Sequence, residues 1–167
     1  MEQKNLNTLL AQVIGEAAAL GIPVSNSIHP QVILNGRAVS RFGCCRKVGL
    51  TYYIEVSARL LEGGEGALRE TLAHEVLHTC RGCRDHGPRW KGYAAGMNAA
   101  YGYRVSRTGS WEGLGLQDPR PVRYLLTCES CGLEIKRAKA SALVRHPERY
   151  HCRCGGRILL RKGGGAP

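Results

Sequence analysis

The most reactive arrangement in this chain of 167 residues is a pair of histidines with a glutamate between them. The segment reads His74-Glu75-Val76-Leu77-His78, an H-E-x-x-H pattern. Side chains four residues apart on a helix lie about one turn apart on the same face, so both imidazoles can reach one metal ion. In such sites the glutamate does not bind the metal but takes a proton from the bound water. The pattern predicts a hydrolytic zinc site with Glu75 as its catalytic base.

A third ligand for this zinc is expected close by, because a catalytic zinc ion usually has three protein ligands and one open position. His86 follows His78 by eight residues, and Gly82 between them allows the chain to turn. Asp85 is the competing ligand. We therefore predict that His74, His78 and His86 bind the zinc, with Asp85 as the alternative to His86.

These residues resemble a known family. HEVLH followed by HGPRW, which runs from His86 to Trp90, is similar to the SprT-like metalloproteases, a family that includes the Spartan proteases of DNA–protein crosslink repair. The resemblance covers about residues 5–160. It implies that the three histidines bind zinc, that Glu75 is the catalytic base, and that a zinc ribbon follows the catalytic domain.

Four cysteines in the C-terminal part have the spacing of a structural metal site. Cys128 and Cys131 form a C-x-x-C pair, and Cys152 and Cys154 form a second, C-x-C pair. Four thiolates in two such pairs suit a closed, tetrahedral zinc site. Because the family's second pair is usually C-x-x-C, His151 is an alternative to one of the cysteines. We predict a structural zinc at the four cysteines.

The other four cysteines allow three interpretations. Cys80 and Cys83 form another C-x-x-C pair, between two of the predicted zinc ligands. Together with Cys44 or Cys45 they would form a further structural metal site. They would otherwise be a redox-sensitive pair beside the catalytic site, or small buried residues near its helix.

The histidine motif must be positioned by a domain that contains both helices and strands. Hydrophobic periodicity predicts its elements: helices over residues 5–20, 67–79 and 89–101, and strands over residues 31–35, 38–45 and 50–57. This order indicates a compact α+β domain. Together with the resemblance it predicts a zincin-like SprT domain with the H-E-x-x-H motif on a helix, followed by a small β zinc ribbon.

Composition shifts along the chain suggest where the domains begin and end. We predict a metallopeptidase domain over residues 1–105, a linker over 106–120, a zinc ribbon over 121–162 and a tail over 163–167. Gly, Ser, Pro and Asp dominate the predicted linker, and no hydrophobic period is present there. Trp111 is unusual in a linker, and we expect it to pack on a neighbouring domain.

The net charge of +11 is concentrated in the C-terminal part. Residues 1–103 have a balance of +3, whereas residues 104–167 have a balance of +8. Such asymmetry favours a nucleic-acid partner bound by the ribbon, although a solvated basic face is the alternative. The family resemblance makes DNA the expected nucleic acid. Tyr124 and Tyr150 lie among the ribbon cations, where they would stack on bases or pack in the ribbon core.

The overall composition narrows the class of protein. With 43% hydrophobic residues the chain is expected to fold, and no apolar run is long enough to span a membrane. The first seven residues, MEQKNLN, lack the apolar stretch of a secretory signal. We therefore expect a cytoplasmic protein without a membrane partner. Its eight cysteines are expected to be reduced, and metal binding is a better explanation for them than disulfide bonds. The sequence does not set the oligomeric state.

Taken together, these patterns predict a zinc metallopeptidase with one catalytic and one structural Zn²⁺. Its substrates are expected to be proteins associated with or crosslinked to DNA. The alternative is a nucleic-acid-binding protein that is stabilised by zinc and has no proteolytic activity. Glu75 favours the enzyme, because an inactive site has no chemical need for that acid. A two-metal nuclease is disfavoured, since the segment from His74 to His86 lacks clustered carboxylates.

Overall fold

The computed structural model describes residues 3–161. The tail predicted at 163–167 and the last residue of the predicted ribbon, Lys162, lie outside the described residues. The chain divides into two compact units, an N-terminal unit that ends at Asp118 and a C-terminal unit that begins at Pro119. Within the described range, no helix is long and apolar enough to cross a membrane.

The N-terminal unit has the predicted α+β architecture. Its elements are helices α1 (Gln3–Ala19), α2 (Gly64–Leu77) and α3 (Pro88–Tyr101) and strands β1 (Ile33–Asn35), β2 (Gly43–Val48) and β3 (Thr51–Ser57). The three strands form one sheet in the order β1-β3-β2. Strand β3 pairs in parallel with β1 and antiparallel with β2, which places β2 at an edge.

Helix α2 lies at the centre of this unit. It contacts α1, α3, β2 and β3. The side chains predicted to pack on it are fully buried, among them Leu68, Leu72 and Val76. Their spacing of four residues gives one apolar face, and burial of that face holds α2 against its neighbours. The helix that carries the histidine motif is therefore fixed by the largest core of the molecule.

Helix α3 begins and ends at residues whose backbone preferences suit those positions. Pro88 occupies the first turn, where a missing N–H costs no helical hydrogen bond. Gly102 ends the helix with φ of +68°, and its N–H donates to the Asn98 carbonyl. A side chain at this left-handed position would be strained, so the glycine stops the helix and turns the chain back.

One predicted strand is misplaced along the sequence. We expected a strand over residues 38–45, but β2 runs from Gly43 to Val48. Residues 36–42 instead form a connection, in which the Ser57 hydroxyl donates to the Ala38 carbonyl. The second half of β2 is exposed at the sheet edge and carries Arg46 and Lys47, so it lacks the apolar alternation by which strands are recognised.

The segment after α3 continues the N-terminal unit up to Asp118. Val105 is buried in its core, and Trp111 is only 2% exposed. The ring of Trp111 meets Phe42 edge to face at 4.6 Å between centroids. A short 3₁₀ turn, Glu112–Leu114, follows the tryptophan. Within the stretch predicted as a linker, Trp111 therefore packs on Phe42, just before β2, and residues 106–118 belong to the N-terminal unit.

The C-terminal unit is a small antiparallel sheet. Strands β4 (Tyr124–Cys128), β5 (Glu134–Arg137) and β6 (Ile158–Arg161) pair in the order β5-β4-β6. A short helix, α4 (Ala142–Arg145), lies between β5 and β6 in sequence. The described buried core consists of Leu126, Val144 and Ile158. So small a core cannot stabilise a fold by burial alone, which indicates a need for a further cross-link.

Candidate metal centre

The three predicted histidines meet in the N-terminal unit. Helix α2 provides His74 and its C-cap residue His78, and the loop before α3 provides His86. One ligand atom from each lies within 4.8 Å of the others. The Nε2 atom of His74 is 2.9 Å from Nε2 of His86 and 3.3 Å from Nε2 of His78. The three imidazoles thus converge on one point through the same ring nitrogen.

Two backbone carbonyls set the protonation of these rings. The Nδ1 atom of His74 lies 3.1 Å from the Ser106 carbonyl oxygen, and Nδ1 of His78 lies 2.7 Å from that of Cys83. A carbonyl oxygen can only accept, so each Nδ1 carries the hydrogen and each neutral ring presents an Nε2 lone pair. Two lone pairs that face each other across 3.3 Å repel unless a cation lies between them. This donor set fits a zinc ion.

The environment also keeps the histidines in the form that binds metal. Burial, followed by the neighbouring His78 and His86, lowers the pKa of His74 to about 4. Burial is likewise the main cause that lowers the pKa of His86, with a smaller contribution from His78. Both rings are therefore neutral at pH 7, as metal ligands must be.

Trp90 packs against all three histidines. Its ring centroid lies 4.7 Å from that of His74, 5.7 Å from His78 and 4.6 Å from His86. The side chain is 1% exposed, and in the described structure its Nε1 atom has no hydrogen-bond partner. Trp90 therefore holds the imidazoles by ring packing alone. In the sequence, Trp90 is marked by the HGPRW segment, but no role for this tryptophan was predicted from the sequence.

Glu75 lies beside the histidine cluster and is held by strand β2. Its side chain is 7% exposed, and the backbone N–H of Cys45 donates to its carboxylate. Gly43 leaves room for this carboxylate, since a Cβ added at this position would lie only 2.8 Å from Oε1 of Glu75. Burial raises the pKa of Glu75 to about 7, against the opposing effect of the Cys45 N–H. No sequence signal identified Gly43 as part of this site.

The alternative third ligand takes a different role. Oδ1 of Asp85 accepts a hydrogen bond from the Gly87 N–H at 3.3 Å, in the loop that leads into α3. Across the described residues, the metal-ligating group in this region contains His86 and not Asp85. The geometry therefore favours the three-histidine set.

The four C-terminal cysteines also converge. The Sγ atoms of Cys128 and Cys154 are 3.5 Å apart, and those of Cys131 and Cys152 are 3.6 Å apart. The N–H of Cys131 donates to the Cys128 sulfur and lowers the pKa of that thiol to about 6, which favours the thiolate. The alternative ligand, His151, does not belong to this group as far as the structure describes the chain. Four close sulfurs beside a small sheet fit the structural zinc of a ribbon.

The thiols of the remaining cysteines belong to neither of these two groups within the described residues. Cys80 and Cys83 are buried, and burial raises the pKa of Cys80 to about 11. The described residues contain no group of three or more ligands that includes them or Cys44 and Cys45. The thiols of Cys80 and Cys83 are therefore protonated at pH 7, which for this pair favours small buried side chains over a further metal site.

Comparison with known proteins agrees with this geometry. A search of curated proteins finds no match to the chain. The SprT-like family model matches residues 23–109, a span that contains the sheet, the histidine motif, His86 and helix α3. Because the matched span is more than half of the chain and includes the whole three-histidine cluster, this chain belongs to the SprT-like family.

Proposed function

We propose that this protein is a zinc-dependent metallopeptidase that acts on proteins associated with or crosslinked to DNA. The observation that carries the catalytic part is a buried glutamate that directly follows His74 on helix α2, together with three converging imidazoles. A purely structural site is closed by its ligands and needs no base. Here Glu75 is kept out of the ligand set and is held by the backbone of β2 instead.

The residues divide the work of peptide hydrolysis between binding and proton transfer. His74, His78 and His86 would hold the zinc, which supplies a Lewis acid and lowers the pKa of water in its open position. Glu75 accepts the proton of the attacking water at its carboxylate and returns it to the leaving amine. A carboxylate whose pKa is raised towards neutrality by burial is suited to both transfers.

The variant Glu75→Gln tests the catalytic proposal. It keeps the shape of the side chain and removes the base, so we expect peptide hydrolysis to be lost while two zinc ions per chain are retained. His86→Ala is the matched control, since it should lose one of the two ions. Loss of zinc from Glu75→Gln would make Glu75 a ligand. If the wild-type chain has no proteolytic activity with or without DNA, it is the alternative, a nucleic-acid-binding protein stabilised by zinc.

We further propose that the C-terminal unit docks on nucleic acid through its basic sheet face. Leu125 of β4 is in register with Lys136 of β5 and Arg161 of β6, so these three side chains share one face of the sheet. Leu126, one residue on, points to the opposite face and forms the core. Lys136 and Arg161 are exposed. The two cations lie on the strands that flank β4, on an open face that also carries Glu134. Cations on an open face suit contacts with phosphates.

Docking would explain how a peptidase finds proteins on DNA. A nucleic-acid-binding unit on the same chain raises the local concentration of the peptidase near any protein bound to that nucleic acid. A cytoplasmic location is part of the proposal, since none of the eight cysteines forms a disulfide, as expected in a reducing compartment.

A pair of double variants tests the docking surface in the full chain. Lys136→Gln with Arg161→Gln should weaken DNA binding and reduce the slope of log affinity against log salt by about 2, because two phosphate contacts are lost. Arg46→Gln with Lys47→Gln removes the same charge from the N-terminal unit and should leave binding unchanged. If both double variants lose DNA affinity equally, net charge alone explains the effect. If only the control loses affinity, the DNA-binding surface lies at strand β2 instead.

A further inference from the structure

Ser106 sits in the stretch that composition marks as a linker, yet its carbonyl faces a zinc-ligating ring. The oxygen accepts the Nδ1–H of His74 at 3.1 Å. His78 has an equivalent partner in Cys83, which lies only five residues away in the turn after α2. Ser106 is 32 residues from His74, beyond the end of α3. Some other contact must therefore bring this peptide back to helix α2.

That contact is made by the side-chain amide of Asn98. Its Nδ2 donates to the Val105 carbonyl at 3.0 Å, and its Oδ1 accepts the Val105 N–H at 2.8 Å. One amide thus satisfies both backbone groups of the residue directly before Ser106. Val105 itself is 5% exposed, so these groups have little water to bond with instead. The two hydrogen bonds fix the backbone of Val105, one residue before the carbonyl that faces His74.

We infer that Asn98 is a positioning residue of the zinc site, which orients His74 through the Ser106 carbonyl. This inference rests on the proposed function, because it assigns Asn98 a role in zinc binding. Groups that hold the second nitrogen of a metal-ligating histidine fix its tautomer and ring direction, and their loss typically costs about 10–100-fold in metal affinity.

Ser106 also donates from its Oγ to the Thr108 carbonyl at 2.6 Å, which is a contact within the loop and does not reach the rest of the domain. Two further anchors of the segment, at Arg104 and Tyr103, hold side chains rather than the peptide. Arg104 donates from Nε to Oε1 of Glu70 at 3.1 Å, and its side chain is 74% exposed. The Tyr103 hydroxyl donates to Glu16. Neither contact fixes the direction of the Ser106 carbonyl. Arg104→Ala therefore provides a control that loosens the same segment at its surface without touching the Asn98 amide.

The test measures zinc affinity and one proton in the zinc-loaded, full-length protein. In Asn98→Ala we expect the affinity of the three-histidine site to fall about 10-fold or more in competition with a chelator. His86→Ala shows which of the two binding events belongs to this site. By NMR, the Nδ1–H of His74 should exchange faster with solvent, while that of His78 should not change. Arg104→Ala should match the wild type in both measurements.

A second variant separates positioning from mere stability. Asn98→Asp keeps the acceptor for the Val105 N–H and loses the donor to the Val105 carbonyl. Its zinc affinity and its His74 proton exchange should therefore lie between those of the wild type and Asn98→Ala. If Asn98→Ala does not fold, the same measurements on Asn98→Asp test the inference. Reduced stability with unchanged zinc affinity and unchanged His74 proton exchange would overturn the inference. Neither measurement uses proteolysis, so absence of peptidase activity would contradict the proposed function and leave this result intact.

Discussion

Glu75 depends on a neighbour that has no side chain. A Cβ at Gly43 would lie 2.8 Å from both Cγ and Oε1 of Glu75 and 2.9 Å from Cγ2 of Thr71. Gly43→Ala must therefore displace the carboxylate, and a misplacement of about 1 Å can cost roughly 100-fold in turnover. We expect that loss of turnover with zinc content unchanged, because the three atoms nearest to the added Cβ belong to Glu75 and Thr71 and not to a histidine. Steady-state hydrolysis and metal analysis measure the two effects.

Gly36→Ala is the matched control for this prediction. A Cβ at Gly36 meets no atom within 4 Å, so turnover should remain at the wild-type level. If Gly43→Ala hydrolyses peptides as fast as the wild type, then the packing of Glu75 on β2 does not set its catalytic position. Loss of zinc from Gly43→Ala would show that the strand supports the histidines as well.

Glu55 gives the N-terminal unit a pH-dependent stability. Oε1 of Glu55 accepts from Nη2 of Arg41 at 2.6 Å and from Nδ2 of Asn35 at 2.9 Å. These bonds, the Arg41 bond foremost, hold the pKa of the Glu55 carboxyl below its ordinary value of 4.5. The stabilisation is therefore complete above pH 4.5 and is lost as the pH falls through the lower, folded-state pKa.

The difference between wild type and Glu55→Gln isolates this contribution. Loss of zinc in acid should lower the free energy of unfolding of both proteins alike, so it cancels in the difference between them. We expect the wild type to be the more stable protein at neutral pH, and its advantage in urea denaturation to shrink below pH 4.5. An advantage that stays constant down to pH 3 would show that the carboxylate is not coupled to folding.

At the scale of elements, Trp111 fixes the end of the N-terminal unit. Its ring is 2% exposed and packs on Phe42, just before strand β2. Trp111→Ala should lower the free energy of unfolding of this unit by about 3–5 kcal/mol, as expected when a buried aromatic side chain is removed. Val122→Ala, at a side chain that is 56% exposed, should change it little. If Trp111→Ala changes the free energy of unfolding in urea as little as Val122→Ala does, residues 106–118 act as a linker.

The elements differ in how far the sequence predicts them. Helix α2 is predicted well because its apolar period is a local pattern that tertiary contacts reinforce. Strand β2 is shifted because an exposed edge carries no such period. The segment after α3 is rich in turn residues, yet Val105 and Trp111 are buried in it. Its fold depends on contacts with Asn98 and Phe42, which composition cannot reveal.

The candidate site divides in the same way. The three histidines and Glu75 lie within 13 residues, and their chemistry follows from residue type and spacing. The groups that orient them come from distant parts of the chain. Gly43 belongs to a strand, Trp90 to the next helix and Ser106 to a later loop. Only the folded chain brings these positions together, so a single sequence indicates the ligands but not their supports.

At the scale of the whole molecule, the two units should respond differently to loss of zinc. The described core of the N-terminal unit contains 23 buried hydrophobic side chains, whereas that of the C-terminal unit contains three. Burial of apolar surface stabilises the first unit without metal, but the second needs its cross-link between cysteines. A chelator should therefore unfold the C-terminal unit and leave the N-terminal unit folded.

Amide hydrogen exchange with and without chelator measures the two units separately in one sample. Removal of zinc should abolish protection in β4, β5 and β6, while protection in α1 and α2 persists. Cys128→Ser with Cys154→Ser should reproduce this pattern in the presence of zinc, because it removes two of the four thiolates. His86→Ala should not, since it affects only the other site. Simultaneous loss of protection in both units would mean that their stabilities are coupled, and a protected sheet without zinc would show that three buried side chains suffice.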